Sequence, residues 1–211
     1  MYNLERYRPI ELCDLIRLGR DYDGGYVVSK RQVEKTDILL SFGVNDDWSF
    51  ESDFEKLKRI KIYAYDYSVS KKCKRLEMMD NFVCLLGSII VLRRSRVKEY
   101  WRKISCARRG LKRLYGYFQE KHDRHFIPKY LGASDGGEYI SIDRIFKETG
   151  AAEKLSVFIK MDIEGAEYET LPHLAPYFDK INGMSIEFHG LNSPEKFEKM
   201  NLPAALRRGI L

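Results

Sequence analysis

Lys160-Met161-Asp162-Ile163-Glu164-Gly165-Ala166-Glu167 places three carboxylates and a glycine directly behind the apolar stretch Leu155 to Ile159. A short apolar run rich in β-branched residues that stops at an acidic, glycine-containing loop reads as a buried parallel strand. Open α/β sheets hold their ligands at the carboxyl ends of such strands, so Asp162 and Glu164 are expected in the active crevice. A plainer reading makes the same segment a solvated strand-to-helix loop, with Glu167 in an acidic first helical turn.

The segments upstream repeat the pattern. Ile38-Leu39-Leu40-Ser41-Phe42 is an apolar run closed by Gly43, and the residues from Asn45 to Glu51 lead into a helical pattern through Phe54 and Leu57. A second strand, Ile60 to Tyr65, ends at Asp66, 23 positions after the glycine. In dinucleotide-binding βαβ units an acidic residue at about 20 positions' distance bonds the ribose hydroxyls. The glycine pattern is incomplete, because Asn45 and Asp47 stand where further glycines would be. Carboxylates at Asp46 and Asp47 would repel a diphosphate on the helix N-terminus, which disfavours a nicotinamide-dependent oxidoreductase; capping of the helix explains them equally well.

Taken together, the Lys-x-Asp-x-Glu-Gly-x-Glu run at 160–167, the strand end Ser41-Phe42-Gly43, the Asp-Gly-Gly-Tyr run at 23–26 and Asp46-Asp47-Trp48-Ser49-Phe50-Glu51 resemble the FkbM-type methyltransferases, a branch of the class I S-adenosylmethionine-dependent enzymes. The resemblance spans roughly Leu15 to Leu191 apart from a basic insertion. It implies a Rossmann-like, doubly wound, mainly parallel α/β sheet in a single domain over 1–211. It also implies S-adenosylmethionine as cofactor and O-methylation of a sugar, glycan precursor or small molecule. On the same footing, Ser41, Phe42, Gly43 and Asp66 would hold the cofactor, while Ser134 and Asp135, after a third strand read over Ile127 to Ala133, would bond the adenine. Asp23 and Tyr26 could close over a ligand, although turn chemistry accounts for Gly24 and Gly25 without one.

Methyl transfer from a sulfonium needs an acceptor that is deprotonated and aligned, so a general base or an acidifying metal is the chemistry to seek. Asp162, Glu164 and His189 are the candidates. His189 closes a fifth strand, Gly183 to His189, on the same side of the extended chain as Glu187. Asp162 and Glu164 could also ligate Mg²⁺, which favours hard oxygen donors, although no dedicated metal motif is present. Lys160 reads as a partner of one of these acids, and Glu167 as support for the loop. Ser141 or Asp143 caps the helix that precedes the key strand.

Composition bounds the remainder. The chain has 211 residues, 44% of them hydrophobic and 13% aromatic, which suits one folded domain. No apolar run approaches the roughly 20 residues of a membrane span and the first residues lack a signal-peptide core, so a cytoplasmic protein is expected. Cys13, Cys73, Cys84 and Cys106 have no metal or redox spacing and read as reduced thiols.

The net charge of +6 conceals an uneven distribution: Arg93 to Arg124 holds twelve Lys and Arg against Glu99, Glu120 and Asp123. Trp101, Leu111, Leu114, Tyr115 and Phe118 interleave with these cations at near-helical spacing. Residues 67–124 are therefore expected to form a basic helical insertion, in which an apolar stretch at 82–92, too short to span a bilayer, directly precedes the cationic run. A solvated helix face, a peripheral contact with membrane or anionic glycolipid through 82–124, and nucleic-acid binding compete for it. Nucleic acid ranks last, since no recognised nucleic-acid-binding pattern accompanies the cations.

Class I methyltransferases usually add a sixth and a seventh strand as a hairpin, yet only 191–211 follow the fifth strand, read as a short helix and an irregular end. The expectation is a sheet without that hairpin, through truncation or with a partner supplying the cover. A homodimer over the uncovered edge, or a non-catalytic methyltransferase-like binding or scaffold protein, is the corresponding alternative.

Overall fold

The computed structural model describes residues 13–21, 25–153 and 156–190. A hairpin opens the described chain: β1 (Leu15–Leu18) pairs antiparallel with β2 (Tyr26–Ser29), and α1 (Lys30–Lys35) follows, with Ser29 Oγ accepting from Gln32 N. The central sheet consists of β3 (Ile38–Phe42), β4 (Lys61–Tyr65), β5 (Arg124–Ile127), β8 (Val157–Met161) and β9 (Ile181–Ile186). Its order is β5-β4-β3-β8-β9, and every neighbouring pair is parallel. Two short strands, β6 (Tyr130–Gly132) and β7 (Tyr139–Ser141), pair beside it. This is the Rossmann-like α/β architecture expected from the sequence.

Strand periodicity assigns the two faces. Ile38, Leu40 and Phe42 of β3 join Val157, Ile159 and Met161 of β8 in a core completed by α5 (Ile142–Thr149) and the turns at Leu171–Tyr177. Leu39 and Phe158 face the other way, onto Val33 of α1 and Phe50 and Phe54 of α2 (Ser49–Leu57). Because both faces of β3 and β8 are covered, all ten of their residues are buried, as a continuous apolar run demands. Asp47 Oδ1 accepts from Ser49 N at 3.0 Å, so this carboxylate caps the start of α2. Ser141 likewise caps α5, accepting from Arg144 N, and Gly150 closes that helix in the left-handed conformation.

The third strand differs from the expectation over Ile127 to Ala133. The ladder with β4 runs over Arg124 to Ile127 and stops before Pro128, which has no N–H to donate. Tyr130 to Gly132 then belongs to the separate pair with β7. The basic insertion is correspondingly a helical hairpin, α3 (Lys71–Ile90) and α4 (Arg94–Gln119), and Arg124 belongs to the sheet. The readings at 191–211 and at Asp23 and Gly24 lie outside the described residues. Among the described residues no helix is long and apolar enough to cross a membrane.

Arg124 fastens the base of the hairpin. Its buried guanidinium bonds Glu55 of α2 and the Tyr117 carbonyl of α4, and it stacks 3.9 Å from the centre of the Tyr117 ring. Desolvation acts to raise the Glu55 carboxyl, but the hydrogen bonds and charges of Arg124 and Lys121 outweigh it and hold the group below its ordinary range. A depressed carboxyl stabilises the fold above its unfolded-state value, and that contribution is lost as pH falls through the folded-state value. Removing Arg124 leaves Glu55 with Lys121 alone, 3.2 Å away, and loss of a buried partner of this kind costs about 3–5 kcal/mol. Arg124→Leu is therefore expected to lower the melting temperature at pH 7 by about 6–20 °C, with a smaller deficit near pH 3, as measured by thermal unfolding.

Candidate active site

The sheet reverses its winding direction between β3 and β8, and the crevice beyond their carboxyl ends is where such folds bind ligands. Gly43, immediately after β3, has φ +75°, and a Cβ built there would overlap the carbonyl of Asp162, immediately after β8. Glycine is thus required both by conformation and by the approach of the second strand end. Asp162 N donates to Phe42 O at 3.0 Å and Gly43 N to Tyr65 O at 3.0 Å, which locks three strand ends together.

A cavity of about 610 Å³ opens at this point, within the ordinary range for a small-molecule site. Gly43, Asn45 and Asp66 line one side, Asp162, Ile163 and Glu164 the other, and Tyr65, Leu131, Tyr130 and Tyr139 supply apolar and aromatic wall. Asp66 is buried, its Oδ2 accepting from Asn45 N at 2.7 Å and its Oδ1 from Ser68 N at 2.8 Å. The second-strand acid therefore shapes the glycine loop as well as facing the cavity. Ser41 and Phe42 lie behind this wall, fully buried. The Ser41 hydroxyl bonds Glu51 of α2, and Phe42 packs in the core against Tyr65. Ser134 and Asp135 line an adjoining depression that shares Leu131, Tyr139 and Ala166 with the cavity; Asp135 Oδ1 accepts from Ser141 N.

The three candidate catalytic residues come together. One ligand atom from each of Asp162, Glu164 and His189 lies within 4.8 Å of the others, close enough to share a proton network or a divalent cation. His189 Nε2 stands 3.7 Å from Asp162 Oδ1, from Glu164 Oε2 and from Glu187 Oε1. Glu164 adopts φ +56°, a left-handed conformation costly for a non-glycine residue, and Gly165 follows at +104°.

Glu167 organises this turn. Fully buried, its Oε1 accepts from the amides of Ile163 and Gly165 and lies 2.9 Å from His189 Nδ1. A carboxylate only accepts, so Nδ1 carries the hydrogen and Nε2 is the atom presented to Asp162 and Glu164. The loop-supporting role read for Glu167 is present, and its reach to His189 adds a second one that strand alternation could not disclose.

Tyr26, Lys160 and Glu51 extend this network. Tyr26 donates its hydroxyl between Asp162 Oδ2 (3.0 Å) and Glu187 Oε2 (3.1 Å), and burial together with the Asp162 charge pushes that hydroxyl's pKa well above its ordinary value. Lys160, buried, donates to the Gly43 carbonyl at 2.7 Å and lies 3.8 Å from Asp162 Oδ2, so its nearest partner is a backbone oxygen rather than an acid. Its charge also acts on Glu51, whose carboxyl is nonetheless raised by burial against the pull of Lys160 and Ser41. The run from Asp23 to Tyr26 offered some signal for Tyr26; Glu51 offered none beyond its place in an amphipathic helix.

A parallel sheet whose switch-point cavity carries a glycine-loop acid on one side and a carboxylate–imidazole cluster on the other defines a Rossmann-like ligand site. Residues 138–207 match the family model described as the Methyltransferase FkbM domain, which takes in β7 to β9 and the whole acidic loop. That match supports a methyltransferase and agrees with the resemblance carried by the motifs. Searches among curated proteins and among solved structures found no match.

Desolvation lowers the affinity of His189 for a proton, but the hydrogen bond to Glu167 and the charges of Glu167, Glu164 and Asp162 outweigh it and raise its pKa from the ordinary histidine value. A raised histidine stabilises the fold below the unfolded-state value and loses that contribution as pH rises through the folded-state value. Glu167→Gln keeps an acceptor and removes the charge; the His189 imidazole, followed by NMR titration and assigned with His189→Asn, should then titrate at lower pH. Gly43→Ala should lower the melting temperature by about 4 °C or more at pH 7, from left-handed strain of about 1–2 kcal/mol together with the collision with Asp162.

Proposed function

We propose that this chain is an S-adenosylmethionine-dependent O-methyltransferase whose acceptor is a hydroxyl of a sugar, a glycan precursor or another small molecule. The observation that carries the reading is the pairing of Gly43 and Asp66 across one cavity from Asp162 and Glu164. The donor set fits the cofactor. Asp66 offers its Oδ2, which accepts only from Asn45 N, to a ribose hydroxyl, while Oδ1 is already taken by the amide and hydroxyl of Ser68. Tyr130 and Tyr139 offer aromatic surface for a base. Asp162 and Glu164 suit a positively charged ligand that has no phosphate.

When bound, that group supplies a methyl on a sulfonium, already an excellent leaving group, so the protein's task is alignment and proton removal. Asp162, steadied by the Tyr26 hydroxyl and the Lys160 ammonium, orients the acceptor hydroxyl. His189, with Nδ1 committed to Glu167, takes the acceptor's proton at Nε2. A neutral imidazole is needed for this, so activity should rise with pH through the raised pKa of His189. The same three side chains could instead hold Mg²⁺ through Asp162 and Glu164, and metal dependence separates the two uses of the cluster.

Calorimetric titration with S-adenosylmethionine and S-adenosylhomocysteine tests the cofactor site. Binding weakened by about tenfold or more in Asp66→Ala, with melting behaviour retained, supports it. A folded chain that binds neither ligand overturns the enzyme reading and favours a binding or scaffold protein. With an acceptor found by screening sugars and glycan precursors, Asp162→Asn and His189→Asn should each lower kcat by about 10²–10⁴ while cofactor binding persists. Loss of activity in chelator, restored by Mg²⁺, would assign Asp162 and Glu164 to a metal.

A further inference from the structure

The outer half of the α3–α4 hairpin carries more apolar surface than its own packing uses. Leu85 and Ser88 of α3 are buried against α4, its main packing partner. A second apolar row, Leu76, Met79, Val83, Leu86 and Ile90, repeats at spacings of three and four along another side of α3 and is exposed throughout. From Asn81 to Leu92 the chain has no charged residue. At the tip, Leu92 sits at φ +53°, where glycine or asparagine is the usual occupant, and it is 85% exposed. The fold tolerates backbone strain there and obtains no buried contact from this side chain.

Charge changes abruptly at the same place. Arg93 and Arg94 follow Leu92 directly and form no ion pair with a described residue, and α4 carries nine Lys and Arg against the single Glu99. Trp101, about two turns beyond, is 64% exposed. An uncharged outer stretch of α3 and tip beside a cationic α4 with an exposed tryptophan is the pattern of an element that lies in a lipid headgroup layer. A second copy docked on the α3 row would bring two such cationic legs together, and their repulsion opposes that occupant.

We propose that the tip of the α3–α4 hairpin inserts into the surface of an anionic lipid bilayer, with Val83, Leu86, Ile90 and Leu92 entering the interface and Arg93, Arg94 and Arg96 meeting the headgroups. The proposal stands on this hairpin alone and is independent of what the cavity binds.

Co-sedimentation of the full chain with vesicles tests it, comparing phosphatidylcholine with phosphatidylcholine containing about one third phosphatidylglycerol. The chain should sediment with the anionic vesicles and not the neutral ones. Binding should weaken by about tenfold or more between 0.15 and 0.5 M salt. Emission should shift to the blue on anionic vesicles and fail to shift in Trp101→Phe, in which Trp48 alone reports. Removing three cations with Arg93→Gln, Arg94→Gln and Arg96→Gln should weaken binding by about a hundredfold. Val83→Glu with Ile90→Glu should abolish it, and both variants should melt as the wild type does because every altered side chain is outside the core. Equal binding to both vesicles, no binding to either, or binding indifferent to these substitutions overturns the proposal. So does a dimer in sedimentation equilibrium that Val83→Glu with Ile90→Glu converts to monomer while the wild type ignores lipid.

Discussion

The closest constraint in this molecule is the contact between two backbone turns, at Gly43 and at Asp162, where β3 and β8 end side by side. The carbonyl of Asp162 occupies the space a side chain on residue 43 would need, so glycine there allows the strand ends to meet. The positions of the site residues follow from that meeting. Lys160 lies one pleat below, on the α2 face, and reaches up to the Gly43 carbonyl; the same face carries Ser41 and Glu51. A cation and an acid buried together under a parallel sheet are costly unless each finds partners. Lys160 finds the glycine turn and Asp162, and Glu51 finds Ser41. The polar cluster therefore ties α2, β3 and β8 to a single arrangement of the crevice.

Above the strands the organiser is Glu167. One oxygen of this buried carboxylate takes the amides of Ile163 and Gly165 and the imidazole of His189. It joins the loop after β8 to the chain after β9. With that bond in place, the left-handed geometry at Glu164 and Gly165 is held by the surroundings, which is how strain persists at a site. The same bond selects the nitrogen that His189 presents to the crevice and raises its affinity for a proton. Backbone geometry, tautomer and basicity thus share one cause.

Much of this frame is legible in the sequence because it rests on local rules. The buried strands at 38–42 and 157–161 are uninterrupted apolar runs, the turn glycine and Asp66 have a readable spacing, and Ser141 announces its helix. The third strand is hidden, because Arg124 to Ile127 begins with a cation at the end of a long basic stretch. The arginine is compatible with a strand only through Glu55 and Tyr117, partners far away or on another element. Within the site, Asp162 and Glu164 can be nominated from a strand end, since topology gathers such ends on one edge; His189 does not close its strand as the alternation suggests, because β9 ends at Ile186 and the imidazole stands three residues beyond it. Tyr26 and Glu51 act through contacts 136 and 10 positions away that no periodicity encodes. Ser41 and Phe42 show the converse: a strand end next to a crevice is not a wall of it, because the pleat turns one residue to each core.

The hairpin of α3 and α4 separates what the fold needs from what it carries. A parallel sheet requires a crossover between β4 and β5, and a helix on the sheet's face normally provides it. The last turns of α4 do so, burying Leu114 and Phe118 beside Phe54 and Phe158 in the core on the α2 face. Everything from Lys71 to the tip and back to about Gly110 is extra length for that purpose. Surplus helix in water is ordinarily polar on its free sides, as α4 is; α3 is apolar on its free side and at its tip. Among the described residues packing, crossover and capping give that surface no partner, and an exposed apolar patch of this kind marks a contact surface.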